Sequence, residues 1–191
     1  AKTTKNDNSS RFGKFIKITF DNKGVISGAS IVSYLLEKSR VVNRGQNERS
    51  FHIFYQILVG LSDEKKKQFG LTTANDYKYL KLSNCVSVEH MDDKKEFGWT
   101  TEALSVLGFN DEEQDLIFRV CAAILHLGNV EFRGDEQAQV ANADVLIDKV
   151  APLLKVDGQT LLAALISPRV KAGRDLVTLS LNPTKAGNSR D

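Results

Sequence analysis

NDNSSRFGKF (residues 6–15) is the stretch of sequence that decides how the rest of the chain is interpreted. It places two carboxamides, Asn6 and Asn8, and two hydroxyls, Ser9 and Ser10, directly before a cation, Arg11. A magnesium-bound triphosphate needs oxygen ligands for the metal, donors for the phosphate oxygens and a loop that moves when the γ-phosphate leaves. The same residue types also form ordinary turns that hydrogen-bond to their own backbone, so the pattern alone leaves both interpretations open.

The surrounding sequence resembles a known family. NSSRFGKF resembles the first switch loop of the myosin motor ATPase, and Phe12-Gly13 distinguishes it from kinesins, which continue after Ser-Ser-Arg with Ser-His. Four further segments resemble the myosin motor in order and rough spacing: GASIVSYLLEKSRVV (28–42), ERSFHIFYQIL (48–58), AAILHLGNVEF (122–132) and AGRDLV (172–177). The resemblance covers nearly the whole chain and implies most of the upper fifty-kilodalton subdomain of a myosin motor domain.

The resemblance implies a role for each polar residue of the loop. Ser10 would place its hydroxyl on Mg²⁺, and Ser9 would contact the γ-phosphate and help to hold the attacking water. Asn6 would donate to phosphate oxygens, and Asn8, the other carboxamide of the nucleotide-binding set, would mainly shape the loop. Arg11 would pair with a glutamate of the second switch loop, outside this chain, when the site closes. Without the resemblance, Arg11 would be interpreted as a solvated surface arginine.

Other parts of a nucleotide site are missing from the sequence. No segment matches the GxxxxGK-Ser/Thr phosphate cradle of P-loop ATPases, and no second switch loop of the Asp-x-x-Gly-Phe-Glu type is found. Both ends of the chain therefore look like cuts within a longer motor. We expect Mg-ATP hydrolysis and actin binding only from an intact motor, and neither ATPase activity nor a bound cofactor from the isolated fragment.

The predicted fold class is α+β, predominantly α-helical with β-hairpins, as a subdomain of a P-loop NTPase motor. Residues 1–46 would carry the switch loop and strands of the central sheet, and residues 47–191 the mainly helical upper subdomain. Ile16, Ile18 and Phe20 alternate with polar residues, which predicts a half-buried strand. A turn at 21–24 leads to a returning strand from Val25 to about Leu35, with a bulge at Gly28. The unpaired edges of this hairpin would favour self-association.

Helices are predicted from apolar periodicity and capping residues. Apolar residues recur at helical spacing between Phe51 and Leu61, and Ser62-Asp63-Glu64 starts a short lysine-rich helix. Asn110 and Glu113 form a capping box before the clearest helix. Its buried stripe is predicted to comprise Leu116, Ile117, Val120, Ile124 and Leu127, with Gly128 at its end.

The remaining segments give weaker patterns. Residues 71–98 are expected to form loops with short helical turns. A helix is predicted from about Ala143, limited or kinked by Pro152, and Asp157 caps another that ends before Pro168. Residues 169–181 are predicted to form a hairpin that turns at 172–175, and a further helix should begin near Asp191.

Composition excludes several classes of function. Twenty-six basic and twenty-four acidic residues give a net charge of +2, which favours neither nucleic acid nor membrane binding. Two cysteines, Cys85 and Cys121, are too few for a disulfide framework or a zinc site. The sequence has no signal peptide and no apolar run of about eighteen residues that could span a bilayer. A cytoplasmic location, on the actin cytoskeleton, is expected.

Three histidines, His52, His90 and His126, are expected to be structural, because none has a catalytic partner nearby in sequence. The lysine runs 65–67 and 94–95 are interpreted as solvated faces. Two alternatives to a myosin remain at this point. One is a fragment of another NTPase such as a kinesin-like motor, and the other is a protein-interaction domain in which the Asn/Ser loop is only a turn.

Overall fold

The computed structural model describes residues 1–191 as a long hairpin followed by a mainly helical body. The hairpin consists of β1 (Gly13–Phe20) and β2 (Ile26–Tyr34), which pair antiparallel. The Asp21 carboxylate accepts hydrogen bonds from the backbone amides of Lys23 and Val25 and thereby fixes the turn. Helices together with small antiparallel hairpins agree with the predicted α+β class.

Two details of the predicted hairpin are corrected. The bulge lies at Ser27 and not at Gly28, because Gly28 pairs with Thr19 and Ile26 pairs with Phe20, which leaves Ser27 as the extra residue. The strand is also not half-buried, since Phe15 and Ile16, on opposite faces, are 60% and 52% exposed. No other strand pairs with either edge of the hairpin, so the unpaired edges that the sequence predicted are present.

The first two helices follow the prediction closely. α1 (His52–Gly60) buries its aromatic and aliphatic face, and α2 (Asp63–Gln68) begins at Ser62, whose side chain accepts a hydrogen bond from the Lys65 amide. The periodicity was sufficient here because the apolar residues of α1 face a single core.

A helix that the sequence did not predict occupies the weakly patterned region. After a 3₁₀ turn (Ala74–Asp76) and α3 (Lys78–Lys81), α4 runs from Asp93 to Val106. Asp92, which the sequence pattern assigned to a loop, is the N-cap of α4 and accepts hydrogen bonds from the backbone amides of Lys94 and Lys95. Only Phe97 of α4 is fully buried, so the helix carries no apolar stripe from which it could be recognised.

α5 (Asp111–Gly128) confirms the predicted capping box, since Asn110 and Glu113 bond reciprocally, side chain to amide, at 3.0 and 2.9 Å. The predicted stripe is partly wrong. Leu116 and Val120 are exposed, at 49% and 38%. The residues that the helix buries instead are Gln114, Phe118, Ala122, Ala123, Leu125 and His126. The buried face therefore combines Phe118 and Leu125 with small and polar residues, and three residues of the predicted stripe, Ile117, Ile124 and Leu127, are half-buried against the core.

The segment after α5 adds short strands and helices. β3 (Phe132–Arg133) pairs with β4 (Gln139–Val140), and the predicted helix begins at Ala143. It widens to a π-helix over Val145–Val150 and continues as α6 (Ala151–Leu154), which contains Pro152. Because proline lacks an N–H, the expected irregularity is found in the turn that joins these two parts.

The last elements are α7, a hairpin and a final helix. α7 (Gly158–Ile166) starts at Asp157 as predicted, and β5 (Arg169–Ala172) pairs with β6 (Asp175–Thr178) around the expected turn. α8 (Pro183–Arg190) corrects the prediction of a helix that begins near Asp191, because it starts earlier, with Asn182 as its N-cap. None of the helices is both long enough and apolar enough to cross a bilayer.

The principal core joins α1, α4 and α5, and two smaller clusters lie under the later helices. Two close approaches require glycine. A Cβ on Gly60 would lie 2.3 Å from the Phe97 ring, and one on Gly128 would lie 2.4 Å from the Tyr79 ring. These contacts bring α1 against α4 and α5 against α3. No residue of β1 or β2 belongs to any of the three core clusters.

Candidate functional site

The predicted nucleotide loop is closed by its own backbone. Ala1 and Ser9 exchange two hydrogen bonds, of 2.8 and 3.0 Å, between amino and carbonyl groups. Within this closed loop, the Thr3 amide donates to the Asn6 carbonyl at 2.8 Å, and the Asn6 amide donates to the Thr3 hydroxyl at 3.1 Å. The backbone therefore sets the shape of the loop without using the side chains predicted to bind nucleotide.

Those side chains are available to a ligand. Asn6, Asn8 and Ser10 are exposed, and none of their side-chain polar atoms forms an intramolecular hydrogen bond. Ser9 is half-buried, and its hydroxyl makes one long contact, 3.5 Å, with the carbonyl oxygen of Ser10. Four of the five predicted site residues thus offer oxygen or amide groups that the fold leaves largely unused.

Arg11 differs from the other four because the chain itself supplies a partner. Its Nε donates to Oε2 of Glu37 at 2.6 Å, and the Glu37 amide donates to the Arg11 carbonyl at 3.0 Å. The interpretation of Arg11 as a solvated surface arginine is therefore wrong. Both the side chain and the backbone of Arg11 are fixed at the base of the hairpin.

Glu37 links Arg11 to a buried arginine. Arg40, 4% exposed, donates from Nε to the same Glu37 oxygen at 2.6 Å and from a terminal nitrogen to Glu48 at 2.9 Å. The hydrogen bond from Arg11, reinforced by Arg40, lowers the pKa of Glu37 to about 2 although burial opposes this shift. The carboxylate therefore stays ionised at neutral pH, and two carboxylates balance two guanidinium groups.

A second buried arginine connects the loop to the helices. Arg49 is fully buried, donates to Asp93 at the start of α4 at 2.6 Å, and lies 3.7 Å from the centroid of the Tyr55 ring in α1. Its amide donates to the carbonyl of Lys2 at 3.1 Å. One residue thus contacts the loop formed by residues 1–9, α1 and α4, and joins that loop to the helical body.

The sequence pattern does not reveal this charged network, which comprises Glu37, Arg40, Glu48, Arg49 and Asp93. The one local indication is the Glu37-x-x-Arg40 spacing, which is typical of a solvated ion pair as well as a buried one. Arg49 precedes an aromatic helix, and its burial depends on Asp93, forty-four residues later. Pairing over that distance is a property of the tertiary structure.

The histidines and cysteines form no catalytic group. His126 is buried, with Nε2 2.9 Å from the carbonyl oxygen of Phe69. Burial, and after it the positive charges of the amino terminus and Arg49, lower the pKa of His52 to about 4. Burial raises the pKa of the Cys121 thiol to about 11, and Cys85 and Cys121 are both free. No group of three His, Cys, Asp or Glu side chains is arranged to hold a metal ion.

The candidate site lies on an open surface. Two large clefts, of about 790 and 420 Å³, are lined by residues of α2, α5 and the segment around Pro152, and none of residues 6–11 takes part in either. Residues 6–11 thus lie on the surface, outside the two large clefts. This geometry suits a loop that forms one side of a shared site.

Comparison with known proteins gives a consistent result. The family model described as "Myosin head (motor domain)" matches residues 1–191. The whole chain aligns at 48% identity with "Myosin-2 heavy chain, non muscle" of Acanthamoeba castellanii, at 42% with "Myosin-1" of Coprinopsis cinerea, and at 42% with "Myosin-J heavy chain" of Dictyostelium discoideum. The chain spans 13%, 15% and 9% of the lengths of these relatives, respectively.

Proposed function

The chain belongs to the myosin head (motor domain) family, and we propose that it forms the part of an actin-based, ATP-driven motor that carries the first switch loop. One observation carries this proposal: Asn6, Asn8 and Ser10 are exposed without intramolecular partners, directly beside an arginine that the fold holds in place. Family membership disfavours the kinesin-like alternative. The rest of the motor, including the phosphate cradle and the second switch loop, would complete the site.

Each loop residue has a proposed role in that site. Asn6 provides an amide donor for phosphate oxygens, Asn8 is the second carboxamide of the nucleotide-binding set, and Ser9 contacts the γ-phosphate and helps to hold the attacking water. Ser10 fits Mg²⁺, because its hydroxyl is exposed and unbonded, and because Mg²⁺ keeps most of its ligands as water and substrate phosphates. The metal would neutralise phosphate charge. Asn8 also shapes the turn between Asn6 and Ser9.

Arg11 is proposed to close the site. Its backbone and Nε are anchored by Glu37, while its terminal nitrogens donate to no acceptor within the chain and remain able to pair with a carboxylate of the second switch loop. Such a pair would exclude bulk water and align the attacking water with the bond that breaks. Arg11 and Ser9 are thus the two residues proposed to act in catalysis, within the intact motor.

The two regions of the chain are proposed to serve different parts of the motor. Residues 1–46 contribute the switch loop and two strands of the central sheet, and residues 47–191 form the mainly helical upper fifty-kilodalton subdomain and part of one wall of the actin-binding cleft. Movement of the switch loop would reach that cleft through the hairpin and the charged network. The proposed setting is the actin cytoskeleton, and the proposed partners are the rest of the motor and the actin filament.

Mutation of the loop in an intact motor that contains residues 1–191 tests the proposal. Ser10→Ala and Arg11→Ala should each lower actin-activated Mg-ATP turnover by about 10²-fold or more, because removal of one transition-state contact has this order of effect. The matched control Ser62→Ala removes a hydroxyl of similar exposure that only caps α2. Undiminished turnover in both loop variants would favour a protein-interaction domain in which the loop is only a turn.

The 191-residue chain alone provides an independent test. We expect no hydrolysis and negligible ATP affinity, because the loop lies on an open surface and the phosphate cradle is absent from this sequence. Isothermal titration calorimetry with Mg-ATP measures the affinity directly. Saturable binding in the micromolar range would contradict the assignment of residues 1–191 to one side of a shared site.

A further inference from the structure

We propose that Glu37 is a positioning residue for Arg11. Glu37 holds the Arg11 guanidinium at its Nε edge and leaves the two terminal nitrogens free for a second carboxylate. The inference rests on the proposed function, because it concerns the loop assigned to the nucleotide site. It assigns a role in the site to Glu37, which lies outside the loop, twenty-six positions after Arg11.

The contacts of Arg11 show which part of the guanidinium is used. Nε donates to Glu37 at 2.6 Å, and the two terminal nitrogens donate to no acceptor in the chain. The Arg11 side chain is 28% exposed, so the terminal nitrogens are not sealed inside the protein. A guanidinium is planar and carries five donors in a fixed fork, so a bond at Nε orients the remaining donors without consuming them.

The hairpin places Glu37 opposite Arg11 by means of one irregular residue. Gly13 pairs with Tyr34, so continuation of that register would set Arg11 opposite Leu36. The backbone bond instead joins Arg11 to Glu37, and the extra residue is accommodated at Leu35, whose φ is +55°. A leucine rarely adopts this left-handed conformation, because its Cβ then lies too close to the following carbonyl oxygen. The pairing of Arg11 with Glu37 therefore requires an unfavourable backbone conformation at Leu35.

Glu37 is itself immobilised from its buried side. Arg40 contacts both carboxylate oxygens, at 2.6 and 3.4 Å, and is fixed in turn by Glu48 and by the carbonyl of Arg49. A side chain gains orienting power when its own conformers are restricted by packing and further hydrogen bonds. Because Arg40 is buried and doubly anchored, Glu37 presents its carboxylate to Arg11 in one position. Arg40 and Arg49 thereby connect Glu37, and through it Arg11, to Asp93 of α4.

A double-mutant cycle in an intact motor that contains residues 1–191 tests this role. Glu37→Gln should lower the single-turnover rate of Mg-ATP hydrolysis about tenfold or more, because a misplaced catalytic contact has an effect of this order. The KM for Mg-ATP, measured separately at steady state, should change little. In an Arg11→Ala background, Glu37→Gln should add less than a twofold loss. A purely structural role would give losses that multiply, since it would not depend on the side chain of Arg11.

Two controls separate positioning from folding. Asp63→Asn removes the carboxylate of a surface ion pair with Lys66 on α2 and should leave the single-turnover rate unchanged. Thermal midpoints of all variants report whether the fold is retained. If Glu37→Gln does not fold, Glu37→Asp takes its place in the cycle, because it keeps the charge near Arg40 and withdraws the carboxylate from Arg11 by one methylene.

The outcomes distinguish the inference from the proposed function. A large loss in Arg11→Ala with no loss in Glu37→Gln or Glu37→Asp would overturn the positioning role and leave the proposed function intact. Multiplicative losses in the cycle would overturn it in the same way. Full activity in Arg11→Ala would overturn the proposed function and the inference together.

Discussion

The hairpin (residues 13–34) and the helical body (residues 52–166) contain similar apolar side chains, which are exposed in the hairpin and largely buried in the helical body. Ile16 in β1 is 52% exposed, whereas Ile57 in α1 is completely buried. The helices bury their apolar faces against one another, and the hairpin has no such surface within residues 1–191. Apolar residues therefore predict which secondary structure forms, and the presence of a second surface decides whether that structure stabilises the fold.

The two regions also differ in how they are joined. The base of the hairpin is attached through polar groups, chiefly the contacts of Arg11 with Glu37 and of Glu37 with Arg40. The helices are joined through a continuous apolar core and through close approaches such as that of Gly60 to Phe97. The polar attachment fixes Arg11 and Glu37 at the base of the hairpin and leaves the strands themselves without core contacts.

The largest expected effect compares one isoleucine from each region. Ile57→Ala should lower the free energy of unfolding by about 2–5 kcal/mol, because it leaves a cavity in the principal core. Ile16→Ala, the same chemical change in the hairpin, should cost less than about 0.5 kcal/mol. Urea unfolding of the 191-residue chain at low concentration measures both. Equal losses would show that the hairpin is packed against another surface in solution and would contradict the difference between the two regions.

A smaller effect is expected from pH, because the helical body buries a histidine beside cations. Burial lowers the pKa of His52 to about 4 from an ordinary value near 6.5, so the folded state binds fewer protons than the unfolded state between these values. Stability from this group is present above pH 6.5 and is lost as the pH falls towards 4. His52→Gln should flatten the pH dependence of the free energy of unfolding over this range.

The choice of pH window separates His52 from the hairpin anchor. Glu37, whose pKa is lowered to about 2, contributes stability that is lost only below its ordinary value near 4.5. The difference in slope between the unmodified chain and His52→Gln at pH values above 4.5 therefore reports on His52, because Glu37 contributes only below that value. The Ala1 amino group, whose pKa is lowered to about 6, contributes to the slope of both chains. An unchanged slope between pH 6.5 and 5 in His52→Gln would contradict the pKa assigned to His52.

The weakest expected effect is self-association through the hairpin. Both outer edges of β1 and β2 are unpaired, and their apolar side chains are exposed on both faces, so two copies of the 191-residue chain can add strands to one another. Light scattering should show a mass that rises with concentration, and Ile31→Lys should reduce the rise. Val59→Lys is the matched control, because Val59 is an exposed apolar residue of the helical body. A strictly monomeric mass at high concentration would contradict the prediction.

Local signals predicted the elements whose cause is local. The capping residues Ser62, Asn110 and Asp157 each begin a helix as expected, since a cap needs only the three residues that follow it. α4 was missed because it buries only Phe97 and therefore has no periodic stripe. In α5 periodicity correctly included Ile117, Ile124 and Leu127, which pack against the core, but it also included Leu116 and Val120, which are exposed.

The candidate site likewise contains residues that local sequence identifies and contacts that depend on distant residues. Asn6, Asn8, Ser9 and Ser10 were identified from sequence because they are consecutive or nearly so, and the structure leaves them exposed or half-buried on one loop. Arg11 was identified with them, but its contact with Glu37 was not, and neither were Arg40 and Arg49. Their partners lie at separations from three to forty-four residues, and no sequence rule specifies which carboxylate a given arginine will meet.

Short runs of residues are enough to identify the family, the turns, the polar loop and the helix caps at Ser62, Asn110 and Asp157. The caps Asp92 and Asn182 were not recognised in this way. The tertiary structure alone decided which face of α5 is buried, that the hairpin remains uncovered within residues 1–191, and that a buried arginine anchors Glu37 beneath Arg11. The physical reason is that burial and ion pairing depend on the free energy of the whole packed arrangement. A charged or apolar side chain acquires its role only when the surface opposite it is known.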